Sequence, residues 1–460
     1  MLETSFTTLP LSPEFLANLN SLNYKEMTDI QGQSLPFILN GKDIRAQAKT
    51  GTGKTAAFGI GLLHNLDVKT YQTQALILCP TRELADQVSK EIRRLARSTA
   101  NTKIVTLCGG TPMHPQLNSL ERHPHIVVGT PGRILKHLKK GSLDLNNLKT
   151  LVLDEADRML DMGFYDDIMS IIKKIPKKRQ TLLFSATFSD EIKTISDEVQ
   201  KDPVDISVEL IHDDEMLQQV FFEVNRDTKL EALISLLKHY HPESSVIFCN
   251  RKQQCKDLAY ALQNEGLHAL ALHGDLEQKE RNQVLTQFSN KSSSILIATD
   301  VAARGLDIKD LQAVINFELS PDAEIHIHRI GRTGRAGNKG LAVSLFTASE
   351  SFRIDAIENY QGQPVTIGNL STLKDQKNFN LIPPMVTLLI TAGRKNKIRP
   401  GDILGALTAS TNLPGKQIGK IDIFDTLSYV AVERSVASTA EKVLLNGKIK
   451  GRKYKVHTLP

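Results

Sequence analysis

Two short stretches hold the residue types that phosphate chemistry needs. In "AQAKTGTGKT" (46–55), Gly51 and Gly53 let backbone N–H groups turn toward a phosphate. Lys54 can reach the terminal phosphates, and the Thr55 hydroxyl can ligate Mg²⁺. The general motif begins with Gly where this chain has Ala48. The stretch follows a strand-like segment and precedes the helical "AAFGIGLLHNL", a context that a chance glycine-rich turn would lack. Further on, "TLVLDEAD" sets an acidic pair directly behind an apolar strand. Asp154 fits a Mg²⁺-coordinating role, and Glu155 can hold and polarise an attacking water. Capping of the helix that follows would explain one carboxylate but not three within four residues.

The elements that must position these residues repeat one pattern. Short apolar runs end abruptly in small or charged residues, and amphipathic helical stretches follow. "ALILC", "HIVVG", "TLVL" and "TLLF" do so in the first half, and "SVIFC", "ILIATD", "AVINFEL" and "LAVSLF" in the second. Strands alternating with helices predict parallel sheets covered on both faces. Ligands in such sheets sit beyond the carboxyl ends of the strands, which is where the polar residues fall. At 460 residues the chain is too long for one core. A polar stretch near 205–216 separates two such blocks, and a second, 361–384, precedes a basic end. The expected domains are 1–207, 217–360 and 385–460, with 361–384 as a linker.

Composition narrows the class. The chain has no Trp and few aromatics, which argues for α/β over an all-β sandwich. Cys79, Cys108, Cys249 and Cys255 form no Cys/His cluster and read as buried, reduced thiols, as suits a cytoplasmic protein. No signal peptide and no membrane span is expected. Residues 384–460 hold 13 Lys and Arg against 5 Asp and Glu, leaving 44 basic and 46 acidic residues in the rest. All of the net charge of +6 therefore lies at the end of the chain, as a polyanion-binding appendage would place it.

The motifs together resemble those of the DEAD-box ATP-dependent RNA helicases, over about residues 6–350. "AKTGTGKT", "PTRELA", the glycines 109–110, "TPGR", "DEAD" and "SAT" stand in the family's order in the first block. "VIFCN", "HGD", "ATDVAARGLDI" and "HRIGRTGR" follow in the second. Ala48 is ordinary within that family. The resemblance implies two RecA-like domains that bind ATP, Mg²⁺ and RNA across their cleft. It implies an ATP site of Phe6, Tyr24, Gln31, Ala48, Lys49, Thr50, Gly51, Thr52, Gly53, Lys54, Thr55 and Asp307. Tyr24 and Gln31 resemble the adenine-reading pair, with simple packing as the alternative for Phe6 and Tyr24. Thr55 and Asp154 would hold Mg²⁺; Lys54, Glu155, Arg332 and Arg335 would be catalytic. The two arginines resemble arginine fingers. Three residues apart on one helical turn, they would face the same way.

Pro80, Thr81, Arg82, Gly109, Gly110, Thr130 and Arg133 resemble first-domain RNA contacts, and Arg251, Gly274 and Thr299 second-domain ones. Their donors suit backbone phosphates and carry no sequence information. Discrimination of RNA from DNA would rest on 2′-hydroxyls. The family assigns Ser185, Ala186 and Thr187, with Asp157 and His328, to coupling hydrolysis with strand separation. An ATP-gated RNA clamp or assembly platform would carry the same motifs; a DNA helicase is a weaker alternative, which the complete RNA-type motif set argues against.

After Pro384 the runs read strand, helix, strand, strand, helix, strand, which fits a small α+β fold like the RNA-recognition motif. Its sheet has only Tyr429 where stacking rings are expected, so charged loops are the alternative binding surface. The candidates are Arg394, Lys395, Lys397, Lys448, Lys450, Arg452, Lys453 and Lys455. The last five lie in "NGKIKGRKYKV" (446–456), where Ile449, Tyr454 and Val456 interrupt the charge and promise packing. A DEAD-box core with such a module resembles the bacterial DbpA subfamily. That implies a 23S ribosomal RNA hairpin and large-subunit assembly intermediates as partners, with a monomer as the default state. A generic basic anchor for structured RNA is the alternative.

Overall fold

The computed structural model describes residues 4–48, 51–208, 217–303, 311–334, 339–373, 381–409 and 413–459. These form two compact units, one reaching to residue 211 and the other beginning at 212.

The first unit is built on a parallel sheet. Its strands are β1 (Ile44–Gln47), β2 (Ala75–Leu78), β3 (Ile104–Leu107), β4 (Ile126–Gly129), β5 (Thr150–Asp154), β6 (Gln180–Ser185) and β7 (Val204–Ser207). They lie in the order β3-β4-β2-β5-β6-β1-β7. Both faces are covered, and alternation divides the side chains between them. Ala75 and Ile77 of β2 join the core that holds Phe58 and Ile92, while Leu76 and Leu78 join the one that holds Ile134 and Met159. This double burial is why the strands read as continuous apolar runs. Two of the helices between them start on side-chain caps: the Thr81 hydroxyl accepts from Leu84 N at 3.2 Å at the head of Arg82–Leu95, and Ser189 Oγ from Ile192 N at the head of Asp190–Val199.

The second unit carries a like sheet and a smaller one. Its parallel strands are β8 (Leu217–Glu223), β9 (Ser245–Phe248), β10 (Ala269–Leu272), β11 (Ile295–Ala298), β12 (Ala313–Asn316), β13 (Gly340–Phe346) and β14 (Ile367–Gly368). Their order is β10-β11-β9-β12-β13-β8-β14. The expected linker is not wholly a linker. Ile367 and Gly368 pair with Phe221 and Phe222 of β8, and Leu381 is buried in the core of this sheet. A two-residue strand gives no periodicity to read, which is why the sequence showed only polar chain there.

The third sheet is antiparallel, formed by β15 (Met385–Ile390), β16 (Ile418–Ile423), β17 (Ser428–Glu433) and β18 (Val456–Thr458) in the order β16-β17-β15-β18. The helices Pro400–Thr408 and Ala437–Asn446 complete the expected order of elements and pack on Leu388, Ile390, Val430 and Val432. All four cysteines are free and buried.

Candidate active site

In the first unit the phosphate loop, the "SAT" stretch and the acidic motif leave adjacent strands. β1, β6 and β5 are neighbours, and Ala48 N donates to Ser185 O at 2.8 Å, stitching the loop to the "SAT" stretch. Gly51 and Gly53 both take positive φ, 96° and 98°, which only glycine adopts freely. Lys54 heads the helix Lys54–His64, is buried, and donates from Nζ to Ala48 O at 2.9 Å. Lys49 and Thr50 lie outside the described residues.

Asp154 ends β5 fully buried, and its Oδ1 has no hydrogen-bond partner. Burial raises its pKa to about 6; Lys54 pulls it down, and Glu155 and Asp157 push it up. An orphaned oxygen on a carboxylate whose pKa desolvation raises, with Lys54 acting on it and Thr55 next to Lys54 in the chain, is chemistry that a divalent cation would complete. Glu155 follows in the left-handed region (φ 53°, ψ 55°) and makes no side-chain cap bond to the helix Ala156–Asp161. Its Oε2 accepts instead from Arg158 Nη1 at 2.8 Å. Asp157 accepts from Ala186 N at 2.9 Å, a direct link between two of the sequence-selected coupling residues, and Thr187 N donates to Ser185 Oγ at 3.4 Å.

Gln31 reaches the loop from the other side, donating from Nε2 to Gly53 O at 3.1 Å while its Oε1 accepts from Thr28 N. A Cβ at Gly53 would sit 2.5 Å from that amide nitrogen, so the close approach requires glycine. Tyr24 is half-buried and donates to Glu91 Oε1 at 2.6 Å; burial, then this bond, raises its pKa. Phe6 is 3 % exposed and meets Tyr24 edge-on at 6.3 Å, so its place is behind that ring, packing rather than presenting a face.

The RNA candidates occupy the other half of the same sheet edge. β3, β4 and β2 are adjacent, and Gly109 and Gly110, Thr130, and Pro80 to Arg82 follow them in turn. The Arg82 guanidinium lies against Gly110, where a Cβ would collide with it. Gly109 N donates to Thr130 Oγ1 at 3.5 Å, and Arg133 Nη2 to Thr111 O at 3.0 Å. The structure thus brings this set together.

The second unit repeats the division. Gly274, Thr299 and Arg251 follow the adjacent strands β10, β11 and β9. Arg332 and His328 belong to the neighbouring β12 connection. The helix Ala323–Ile330 ends before Arg332, with Gly331 as its C-cap and Gly334 at φ 68°. Arg332 therefore does not lie on the helical turn that the sequence suggested; Gly331 ends the helix first. Arg332 is buried, His328 is half-buried, and Asp307 and Arg335 lie outside the described residues.

In the C-terminal module two basic loops meet. Lys450 Nζ donates to Lys397 O at 2.9 Å, and Thr391 N to Lys455 O at 3.0 Å. Arg394, Lys395, Lys397, Lys448, Lys450, Arg452, Lys453 and Lys455 are all exposed. Ile449 and Val456 are buried in the module core and Tyr454 packs on it, so the stretch is anchored rather than a tail. The face of the sheet turned away from the core is covered as well. Thr387 is 0 % exposed: its hydroxyl lies 2.7 Å from Ser292 Oγ and accepts from Asn290 Nδ2 at 3.4 Å. Met385 N donates to Lys291 O, and Lys420 Nζ to Ser289 Oγ, both at 3.3 Å. Tyr429 is 1 % exposed, with Phe424 edge-on, so it offers no ring to a base.

Comparison with known proteins decides the family. The DEAD/DEAH box helicase model matches residues 28–195, the helicase conserved C-terminal domain 228–337, and the DbpA RNA binding domain 387–458. The chain is 52 % identical to the ATP-dependent RNA helicase DbpA of Escherichia coli K12, over 99 % of this chain and 100 % of that one. The chain is a DEAD-box ATP-dependent RNA helicase of the DbpA family. This helicase also resembles the DEAD-box ATP-dependent RNA helicase CshA of Geobacillus kaustophilus, at 43 % identity over 77 % of the chain and 76 % of the relative. Among solved structures it is similar to S. cerevisiae Dbp5 bound to RNA and ADP BeF3, with TM-score 0.72 and 32 % identity over 80 % of this chain and 96 % of that one. Mss116p bound to ssRNA and AMP-PNP gives TM-score 0.72 at 28 % identity, over 80 % of each chain.

Sequence reading of the helicase passed over several residues that the structure sets in or behind the site. Arg329 is fully buried, paired to Asp300 through two bonds of 2.7 Å and bonded to Asn250 and Asn316 at 2.8 and 3.1 Å. It ties the ends of β9, β11 and β12 together beside Arg251, Thr299 and Arg332. Arginine inside "HRIGRTGR" was visible; its partners, up to 79 residues away, were not. Thr28, which donates to Thr52 O at 2.8 Å, could have been found as a capping Thr three residues before Gln31. Among the described residues no helix is long and apolar enough to cross a membrane.

Proposed function

We propose that this helicase hydrolyses ATP when RNA is bound across its RecA-like domains and opens short RNA duplexes locally. Its C-terminal domain would direct it, in the cytoplasm, to a hairpin of 23S ribosomal RNA during assembly of the large ribosomal subunit. The observation that carries the targeting is the basic patch. Eight exposed Lys and Arg from two loops converge on one side of the module, while its sheet face is closed by residues 289–292. The identity with E. coli DbpA along the whole chain supports the same reading.

Backbone N–H groups of the glycine loop and Lys54 would hold the ATP phosphates. Thr55 and Asp154 would hold Mg²⁺, which when bound neutralises charge on those phosphates. Glu155 would accept the proton of the attacking water, and Arg332 and Arg335 would stabilise charge on the transferred group once the domains close. The Asp157 to Ala186 bond gives closure a route from the acidic motif to the "SAT" stretch. RNA and ATP would then each tighten the other's binding. The test is RNA-stimulated ATPase activity of the full chain with 23S ribosomal RNA against arbitrary RNA of equal length. A lower half-saturating concentration for ribosomal RNA supports the targeting, and equal values remove it.

A further inference from the structure

Arg158 sits three residues beyond Glu155, where an ion pair on an ordinary helix would face solvent and contribute little. Here the pair is enclosed: the Arg158 and Glu155 side chains are 9 % and 5 % exposed, at 2.8 Å. The backbone makes the approach possible. Glu155 takes the left-handed conformation, sparsely populated for a residue with a side chain, just before a helix of only six residues. That turns its carboxylate back along the helix toward position 158. The main chain of Arg158 is fixed too, since its N–H donates to Asp157 Oδ1 at 2.9 Å. The three carboxylates of the motif are thereby held in different ways. Burial raises the pKa of Asp154 and Lys54 offsets part of that rise, Asp157 accepts from the N–H groups of Arg158 and Ala186, and Glu155 takes the guanidinium.

We infer that Arg158 is a positioning residue for hydrolysis: it fixes one oxygen of Glu155, so that the carboxylate stands in a single orientation toward the attacking water. This rests on the reading of Glu155 as the group that takes the water's proton. Arg158 touches neither nucleotide nor water in this scheme; it acts through Glu155 alone. Misplacement of a reacting group by about 1 Å costs on the order of 10²-fold in rate.

The test uses the full chain with RNA, Mg²⁺ and ATP. Arg158→Gln should lower kcat by about 10- to 100-fold, with the affinities for ATP and RNA unchanged within twofold. Arg158→Lys keeps a cation but loses the planar fork, and should recover part of the rate. The deciding arm is the double variant. On a Glu155→Gln background, Arg158→Gln should leave the residual hydrolysis rate and the ATP-dependent retention of RNA where Glu155→Gln alone puts them. A further loss of the same size on that background would show that Arg158 acts independently of Glu155 and would overturn the inference. So would a kcat within twofold of the parent in Arg158→Gln, or, should that variant fail to fold, in Arg158→Met, which keeps the stem and removes the charge. Full turnover in Glu155→Gln would instead remove the role of Glu155 itself, so the two failures are distinguishable.

Discussion

Replacing Lys448, Arg452, Lys453 and Lys455 by Gln should flatten the salt dependence of RNA binding. The size follows from the geometry. Of the five basic residues in 446–456, Lys450 already donates to Lys397 O and holds the loops together, so it is left in place. Ile449, Tyr454 and Val456 are also untouched, so the stretch keeps its anchor in the module core. Each phosphate contact contributes about 0.7 to 0.9 to the slope of log K against log salt, so four lost contacts should reduce it by about 3. Between about 50 and 200 mM salt the parent should then lose about 60-fold more affinity than the variant. The assay is equilibrium binding of the full chain to a fluorescent 23S ribosomal RNA hairpin fragment at several salt concentrations. A slope change below about 1, or weakening that is the same at every salt, would refute the assignment of these side chains to phosphates.

Arg332→Ala should lower RNA-stimulated kcat by on the order of 10³ or more while changing ATP affinity far less, because a finger acts on the transition state; steady-state ATPase with nucleotide titration separates the two. Asp154 has a folded pKa raised from 3.8 to about 6. Its contribution is therefore favourable at acid pH and is lost as pH rises through about 6, a difference on the order of 3 kcal/mol. Asp154→Asn should accordingly raise the melting temperature at pH 7.5 without nucleotide or Mg²⁺, and have little effect at pH 4. Thr387→Ala leaves Ser292 Oγ without its partner at the covered sheet face. It should destabilise the second unit by about 1 to 3 kcal/mol in denaturant unfolding, with RNA binding by the basic loops retained.

Much of this was legible because the informative residues are close in sequence. The strands β2, β4, β5 and β6 are buried on both sides and read as unbroken apolar runs, and Asp154 and Glu155 stand at the end of one of them. β3 was missed: Ile104, Val105 and Thr106 are only half-buried at the sheet's edge, and the signal weakens with the burial. Contacts across the chain left no local trace. Tyr24 and Glu91 are 67 residues apart, and Ser292 and Thr387 are 95 apart. The covered face of the third sheet did leave a signal. "MVTLLI" and "SYVAVE" are nearly continuous in apolar and small residues, whereas a sheet with one wet face alternates. The lack of stacking rings and the lack of alternation have one cause, a face that meets protein. Arg158 was legible only as a charge in "DEADRML"; its direction comes from the left-handed backbone of Glu155, which spacing does not reveal.

The central claim is that the body hydrolyses ATP on any RNA and the last domain chooses which. The most direct measurement is the half-saturating concentration of 23S ribosomal RNA, relative to arbitrary RNA of equal length, for the whole chain and for one ending at Pro384. The whole chain should prefer ribosomal RNA, and the shortened chain should retain RNA-stimulated ATPase activity with no preference. An equally strong preference in the shortened chain would contradict the account.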